Sequence, residues 1–309
     1  MTQPILVAGA AGGAQGSTGR TITELLIKQG ARVRALVHKP DERSDRLRDL
    51  GAEVVHGDLL DPRSIHAAME GIKRAYFTYP VAEGLLEATT IFAAAARGAE
   101  TELIVNMSQL QSTSEVPSSR NLQHRLADQV FDWAQAGAVH LQAPPFFENV
   151  RALIAKSVAE QDAILLPWGD GNAAYPLVAA NDVARVAVAL LSGTGLRLER
   201  AYDLVGETPT ANEIASTLST VLKRPIRYVE ITDEQWSEAL TGRINSHALD
   251  HLSHLWRFFR TAGSRGGADT FHVSKAISAL IGAAPQSLEQ FFRINAGVFG
   301  RRAGAVNAK

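Results

Sequence analysis

Between a short apolar run, Ile5-Leu6-Val7-Ala8, and an amphipathic stretch that starts at Gly19 lies the segment Gly9-Ala10-Ala11-Gly12-Gly13-Ala14-Gln15-Gly16-Ser17-Thr18-Gly19. So dense a glycine run fits neither a helix nor a strand interior, because each glycine gives up more backbone freedom on ordering than any other residue. Placed between a strand and a helix it has a physical use. Backbone N–H groups there approach a pyrophosphate with no Cβ in the way, and the helix N-terminus stabilises the negative charge. The segment therefore predicts a β-loop-α start and a dinucleotide loop built from Gly9, Gly12, Gly13, Gln15, Gly16, Ser17 and Thr18. Two registers are open, with Gly9 and Gly12 near the strand or Gly13, Gly16 and Gly19 near the helix. The Ser17 and Thr18 hydroxyls are expected to face phosphate oxygens.

The rest of the first 150 residues repeats that alternation. Short apolar runs at 5–8, 33–37, 53–56, 74–78, 103–107 and 139–143 are separated by helical patterns at 19–29, 43–50, 63–69, 83–97 and 122–135. This is the pattern of βαβ units around a buried parallel sheet, so the fold class expected is α/β with a doubly wound parallel sheet. Beyond Phe146 the regularity is lost. A helix at 150–160, a turn at 167–172, a helix opened by Asn181-Asp182, strands near 202–205 and 226–230, and helix or loop after Asp233 suggest a smaller, mostly helical C-terminal lobe, discontinuous in sequence. The expected division is 1–150 for the nucleotide-binding domain, its sheet completed by parts of 180–230, and 151–180 with 231–309 for the smaller substrate-binding lobe. The tract Gly263-Ser264-Arg265-Gly266-Gly267 reads as a surface loop or a hinged lid.

Composition narrows the chemistry. Thirty-one Lys and Arg against thirty-two Asp and Glu leave a net charge of −1, which attracts neither nucleic acid nor an anionic membrane surface. With no cysteine, disulfides, thiolate metal sites and Cys nucleophiles are excluded, and redox chemistry has to come from a cofactor. The N-terminus lacks a basic segment ahead of its apolar run, and the longest uncharged stretches are too short to span a bilayer, so a cytoplasmic protein without membrane segments is expected.

The end of the second strand discriminates between cofactors. NAD sites place an acid there for the ribose hydroxyls, whereas NADP needs positive charge. Here Val37-His38-Lys39-Pro40-Asp41-Glu42-Arg43 displaces the acid and brings Lys39 and Arg43 within reach of a 2′-phosphate, with His38 beside them. After the third strand, Gly57-Asp58-Leu59 suits an adenine edge, Asp58 accepting from the exocyclic amine.

The runs ILVAGAAGGAQGSTG, VRALVHKP, GDLLD, AYDLVGETPTANEIASTLSTVLKRPIRYVEI and QSLEQFF resemble the NmrA-like branch of atypical short-chain dehydrogenases/reductases over nearly the whole chain. The resemblance implies a Rossmann domain, NADP(H) and a small lobe over the nicotinamide. It also implies no flavin and no metal, and an activity like that of flavin-independent azo-dye, triphenylmethane-dye and quinone reductases. The same branch contains regulators that sense NADP without turning it over, which stands as the alternative. Small aromatic substrates are the expected partners, on a monomer or small homo-oligomer.

Ordinary short-chain dehydrogenases use Tyr-x-x-x-Lys as proton donor. Four residues beyond Tyr76, Tyr79, Tyr175, Tyr202 and Tyr228 stand Pro80, Glu83, Ala179, Gly206 and Thr232, so the pair is missing. Aligned on the family helix, His124 stands in the lysine's place and Arg120 in the tyrosine's. His124 is then a cofactor-ribose contact, a proton donor or a structural residue, and Ser108 a substrate or ribose contact or a turn cap. Tyr79 and Pro80, like Phe146, Phe147 and Asn149, follow strands on the carboxyl edge, where ligands bind in such sheets, and Met107 ends the fifth strand there. Tyr79, Pro80 and Phe147 are candidate cofactor contacts. Tyr79, Met107, Phe146, Phe147 and Asn149 form a candidate aromatic rim, Phe146 and Phe147 being equally readable as core. His247, His251 and His254 share one helical face, but Leu249, Leu252, Leu255 and Trp256 explain that helix as amphipathic, and no metal is expected.

Overall fold

A computed structural model describes residues 3–13, 17–110, 118–195, 197–266 and 271–300. The chain divides into two compact units, one of residues 1–143, 180–204 and 275–284 and the other of 144–179, 205–274 and 285–309.

In chain order the first unit opens with strand β1 (Ile5–Ala8), helix α1 (Thr18–Lys28), β2 (Val33–Val37), α2 (Glu42–Asp49), β3 (Glu53–His56) and α3 (Pro62–Met69). It continues through β4 (Arg74–Phe77), α4 (Leu85–Gly98), β5 (Leu103–Gln109), α5 (Ser119–Ala134) and β6 (Ala138–Ala143). Helix α6 (Phe147–Gln161) and strand β7 (Ala163–Leu166) belong to the second unit; α7 (Ala180–Ser192) and β8 (Ala201–Asp203) return to the first. The seven strands lie in the order β3-β2-β1-β4-β5-β6-β8, all parallel. From β1 the chain winds outward to β3, then crosses to β4 on the other side of β1. That reversal is the topological switch point, so the ligand crevice of this Rossmann-like sheet lies outside the carboxyl ends of β1 and β4.

The apolar runs form strands because both sheet faces are covered: β1 is buried at all four positions and β2 at four of five. Edge strand β3 instead exposes Glu53 and His56. One core layer joins Leu6, Phe77, Phe92, Ile104 and Phe131, the three phenylalanines meeting at 4.9 to 6.3 Å. The segment 275–284, assigned above to the smaller lobe, groups with this unit, where α11 (Lys275–Ile281) packs on α7.

The second unit contains a short parallel pair, β7 and β9 (Arg227–Glu230), in register from Ala163 with Arg227 to Leu166 with Glu230. Its helices include α6, α8 (Ala211–Leu222), α9 (Asp233–Leu240), α10 (Ser246–Gly266) and α12 (Leu288–Ile294). Its core carries Trp168 stacked on Tyr175 at 3.8 Å, with Trp256, Phe259 and Phe271 around them. The strand at 226–230 therefore does not extend the large sheet. The tract from Gly263 is neither a loop nor a lid as far as Gly266, because α10 runs through it. A Cβ at Gly263 would lie 2.7 Å from the Ala174 carbonyl oxygen, so the glycine lets helix and chain approach closely; residues 267–270 lie outside the described residues.

Candidate functional site

The glycine loop leaves β1 in a tight turn. The Gly12 N–H donates to the Gly9 carbonyl at 3.0 Å, and both residues have positive φ. Gly9 carries a second constraint, since a Cβ there would meet Thr78 Cγ2 at 2.8 Å. Gly19, in the first turn of α1, is fixed by proximity. Its Cβ would stand 2.6 Å from the Gly9 carbonyl oxygen and 2.7 Å from that of Ala8, so α1 starts against the end of β1 only because Gly19 has no side chain. Of the two registers, Gly9 thus serves as the turn glycine and Gly19 as the helix-packing glycine. Gly13 has open space where its Cβ would be; Gln15 and Gly16 lie outside the described residues.

The start of α1 differs from those of α2, α8, α9 and α12, each of which has a side-chain capping box. Ser17, the N-cap of α1, adopts a left-handed conformation and makes no cap hydrogen bond, its hydroxyl donating back to the Gly13 carbonyl at 2.7 Å; no acid lies in the first turn. A helix start without cap or acid leaves its N–H groups to an anion. Thr18 does not present its hydroxyl to that anion. Its Oγ1 is 2.8 Å from the buried Tyr76 Oη, and burial pushes the Tyr76 phenol up to about 12. The sequence marks Tyr76 only as a tyrosine without a partner lysine; in the structure it is a strut beneath the loop.

At the end of β2, His38 and Lys39 are exposed, and Arg43 lies back across the loop. Arg43 Nη1 donates to the Gly12 carbonyl at 2.9 Å, while Nε and Nη2 donate to Asp41 Oδ2 at 3.0 and 2.6 Å. Hydrogen bonding from Arg43 holds the Asp41 carboxyl below its ordinary value. Asp41 also caps α2, accepting from the Arg43 and Ser44 N–H groups. The acid displaced from the strand end thus aims the arginine at the loop. Asp58 Oδ1 accepts from the Leu60 N–H at 2.9 Å and stands 4.0 Å from His38 Nδ1; Leu59 packs against the core. The loop, the bare helix start and the cation over Gly12 together fit a phosphorylated dinucleotide. Lys39→Ala with Arg43→Ala is expected to weaken NADPH binding roughly ten- to a hundredfold per lost contact while leaving NADH binding within a fewfold, as fluorescence titration would show. Equal weakening of both cofactors would mean that these residues do not meet the 2′-phosphate.

Helix α5 begins three residues before its sequence-based start, capped by Ser118, whose Oγ accepts from the Asn121 N–H. Its inner stripe is Arg120, Asn121, His124, Ala127, Asp128 and Phe131. The apolar half packs on the core, and the polar half carries the chemistry. β5 runs two residues further than its apolar pattern, which places Ser108 inside the strand and fully buried. Its hydroxyl donates to Asp128 Oδ2 at 2.9 Å. Asn106 donates to Asp128 Oδ1 at 2.8 Å and to His140 Nδ1 at 3.0 Å, so His140 carries its proton on Nε2, facing Asp132 Oδ1 at 3.1 Å. Asp132 in turn accepts from Arg200 Nε at 2.8 Å. Burial acts to raise the Asp132 carboxyl, but hydrogen bonds from Arg200 and His140 hold it low. Two strands and a helix are thereby joined by one buried polar chain, and Ser108 serves it as an anchor for α5. His124 is buried one turn before Asp128 on the same face.

Tyr79 lies in the turn after β4, half-buried, and its hydroxyl donates to the Glu83 carbonyl at 2.8 Å; Pro80 beside it is exposed and Met107 half-buried. In the second unit, Phe147 is fully buried against Phe291 with ring centroids 5.5 Å apart. Half-buried Phe146 is the N-cap of α6, and Asn149 Oδ1 accepts its N–H at 2.9 Å. Phe147 and Asn149 are thus used by core and cap in this unit. His254 Nδ1 donates to the Asp250 carbonyl at 2.9 Å, His251 is buried, and among the described residues no three His, Asp or Glu side chains are grouped to hold a metal ion.

A family model described as NAD(P)H-binding matches residues 13–193. The chain is 25% identical to an NAD(P)H azoreductase of Xenophilus azovorans, over 93% of this chain and 98% of that one. It is 30% identical to a (4-alkanoyl-5-oxo-2,5-dihydrofuran-3-yl)methyl phosphate reductase of Streptomyces griseus, over 75% of this chain and 79% of that one. Among solved structures, an NADPH-dependent quinone oxidoreductase of Escherichia coli in complex with NADPH superimposes with a TM-score of 0.81 at 20% identity, covering 94% of this chain and 99% of the other. Together with the glycine loop and the switch-point crevice, these matches establish that the chain belongs to the NAD(P)H-binding family.

Proposed function

We propose that the protein transfers a hydride from NADPH, without a flavin, to a conjugated, electron-poor acceptor such as an azo group in its hydrazone form, a quinone or an imine. The observation that carries this reading is the composition of α5, which presents Arg120, His124 and Asp128 on its buried face and contains neither tyrosine nor lysine. Reduction of an isolated carbonyl needs a strong general acid in place as the alkoxide forms. A conjugated acceptor spreads the charge and needs less. The two relatives described above are named as reductases, one as an azoreductase and one of an oxo-dihydrofuran phosphate, which supports this class of acceptor.

When bound, NADPH supplies the hydride from C4 of its nicotinamide. The N–H groups at the start of α1 and around Gly9 to Gly13 hold the pyrophosphate, Lys39 and Arg43 meet the 2′-phosphate, and Asp58 meets the adenine edge. Tyr79 and Pro80 form the crevice wall beyond β4, next to Met107. His124 contacts the nicotinamide ribose. His124→Ala is expected to weaken NADPH binding and to slow turnover at saturating NADPH by less than tenfold, because a general acid would contribute about 10²–10⁴-fold. A larger fall at saturation would make His124 the proton donor, and unchanged binding with unchanged rate would leave it structural. NADPH oxidation followed by absorbance against a panel of azo dyes, quinones and imines tests the function. Acceleration by at least one class is expected. Tight NADPH binding without acceleration by any acceptor would overturn the reading in favour of a redox sensor.

A further inference from the structure

Arg120, in the first turn of α5, is 5% exposed. Its guanidinium fork is taken up by the turn after β4: Nη1 donates to the Ala82 carbonyl at 3.0 Å, and Nη2 to those of Pro80 at 2.7 Å and Tyr79 at 3.4 Å. Gln123 Oε1 accepts from Nη1 at 3.4 Å. Nε is also buried and has no hydrogen-bond partner among the described residues. Nor does a carboxylate face the cation among them. The ionisable neighbour felt by Arg120 is the Tyr79 phenol, while Asp58 and Glu87 are felt at Tyr79. Burial pulls the Arg120 pKa down to about 10, which still leaves the group charged at neutral pH.

A buried cation met only by carbonyl dipoles and an amide is costly to retain. The carbonyls it grips form the wall of the switch-point crevice, so the uncompensated charge stands where a ligand would bind. Because the fork is occupied by carbonyls and the Nε–H is buried, the group acts on a ligand through its charge and not as a two-pronged partner for a carboxylate or phosphate.

We propose that Arg120 supplies a fixed positive charge that stabilises the anion formed when the acceptor takes hydride, which makes the protein selective for neutral acceptors over cationic dyes. The inference rests on the reductase reading above. A quinone that takes hydride gains two electrons and one proton equivalent, becomes an anion, and is neutral again only after a proton arrives from water. A cationic triphenylmethane dye that takes hydride becomes neutral at once. The same transfer is therefore favoured by Arg120 in the first case and opposed in the second.

The experiment compares wild type, Arg120→Met and Arg120→Lys with a neutral naphthoquinone and with crystal violet, a cationic dye. It adds a spectroscopic titration of the NADP⁺-loaded wild-type protein with 4-nitrophenol. Wild type should prefer the quinone. Arg120→Met should lower kcat/KM for the quinone about ten- to a hundredfold without lowering it for the dye, and Arg120→Lys, which keeps the charge but not the fork, should hold the ratio within a fewfold of wild type. Bound 4-nitrophenol should ionise at lower pH than in water. Equal losses on both acceptors, or a wild type that prefers the dye, would overturn the proposal and leave Arg120 as a clamp on the turn. If wild type reduces neither acceptor, the reductase reading fails, and the nitrophenol titration still decides the charge: no binding, or an unshifted ionisation, overturns the proposal with no variant needed.

Discussion

Gly19→Ala is expected to lower NADPH affinity at least tenfold and to destabilise the protein by about 1–3 kcal/mol, the range for a side chain forced into a packed site. The added methyl would sit 2.6 and 2.7 Å from the carbonyl oxygens of Gly9 and Ala8, and backbone cannot swing aside as a side chain end can. Either α1 backs away from the strand, which opens the anion site, or the loop from Gly9 deforms. Thermal unfolding with and without NADPH reads both effects. Gly13→Ala is the control, because its Cβ would meet nothing within 4 Å, and it should leave stability nearly unchanged. A Gly19→Ala protein that binds and unfolds like wild type would show that the close helix–strand contact is not what builds the loop.

The second large effect is expected at Asp128. Asp128→Leu leaves the Ser108 hydroxyl and the Asn106 amide without their acceptor in a buried site and removes the carboxylate beside His140. Leaving a buried donor without its acceptor costs about 1–3 kcal/mol for each group. Asp128→Asn, which keeps an oxygen to accept from Ser108 or Asn106, should lose clearly less. Denaturant unfolding of the two variants measures the difference, and near-identity of both with wild type would mean that the polar chain does not hold α5 to the sheet.

How much of this was legible in the sequence follows from burial. β1, β2 and β4 are covered on both faces, so their residues are almost continuously apolar and stood out to within a residue. The glycine loop was legible because its backbone shape excludes side chains. The polar chain was not, since Asn106, Ser108 and His140 interrupt strands that otherwise bury apolar residues, and nothing local says that Asp128 waits on the neighbouring helix. Two polar side chains two apart in an otherwise apolar strand, as at Asn106 and Ser108, are the signal that was available, for they must share one face and find a partner there. Arg43 is legible as a cation within reach of a 2′-phosphate, but its clasp by Asp41 is not, because that depends on the N-cap geometry of α2. The glycines near 263 were misleading. Glycine marks close approach as readily as flexibility, and at Gly263 the neighbour is the backbone of Ala174, far away in sequence.

The claim that most of this depends on is direct hydride transfer, and single-turnover kinetics with stereospecifically deuterated NADPH test it most directly. Purified, flavin-free protein is loaded with NADPH bearing deuterium at one or the other C4 position, mixed with excess quinone or azo dye, and followed by loss of NADPH absorbance. The account predicts that one of the two labelled cofactors slows the oxidation several-fold and that the other leaves it unchanged, because a cofactor bound in one orientation would offer one face to the acceptor. Oxidation that is equally fast with both labels, or that appears only after flavin is added, would contradict it.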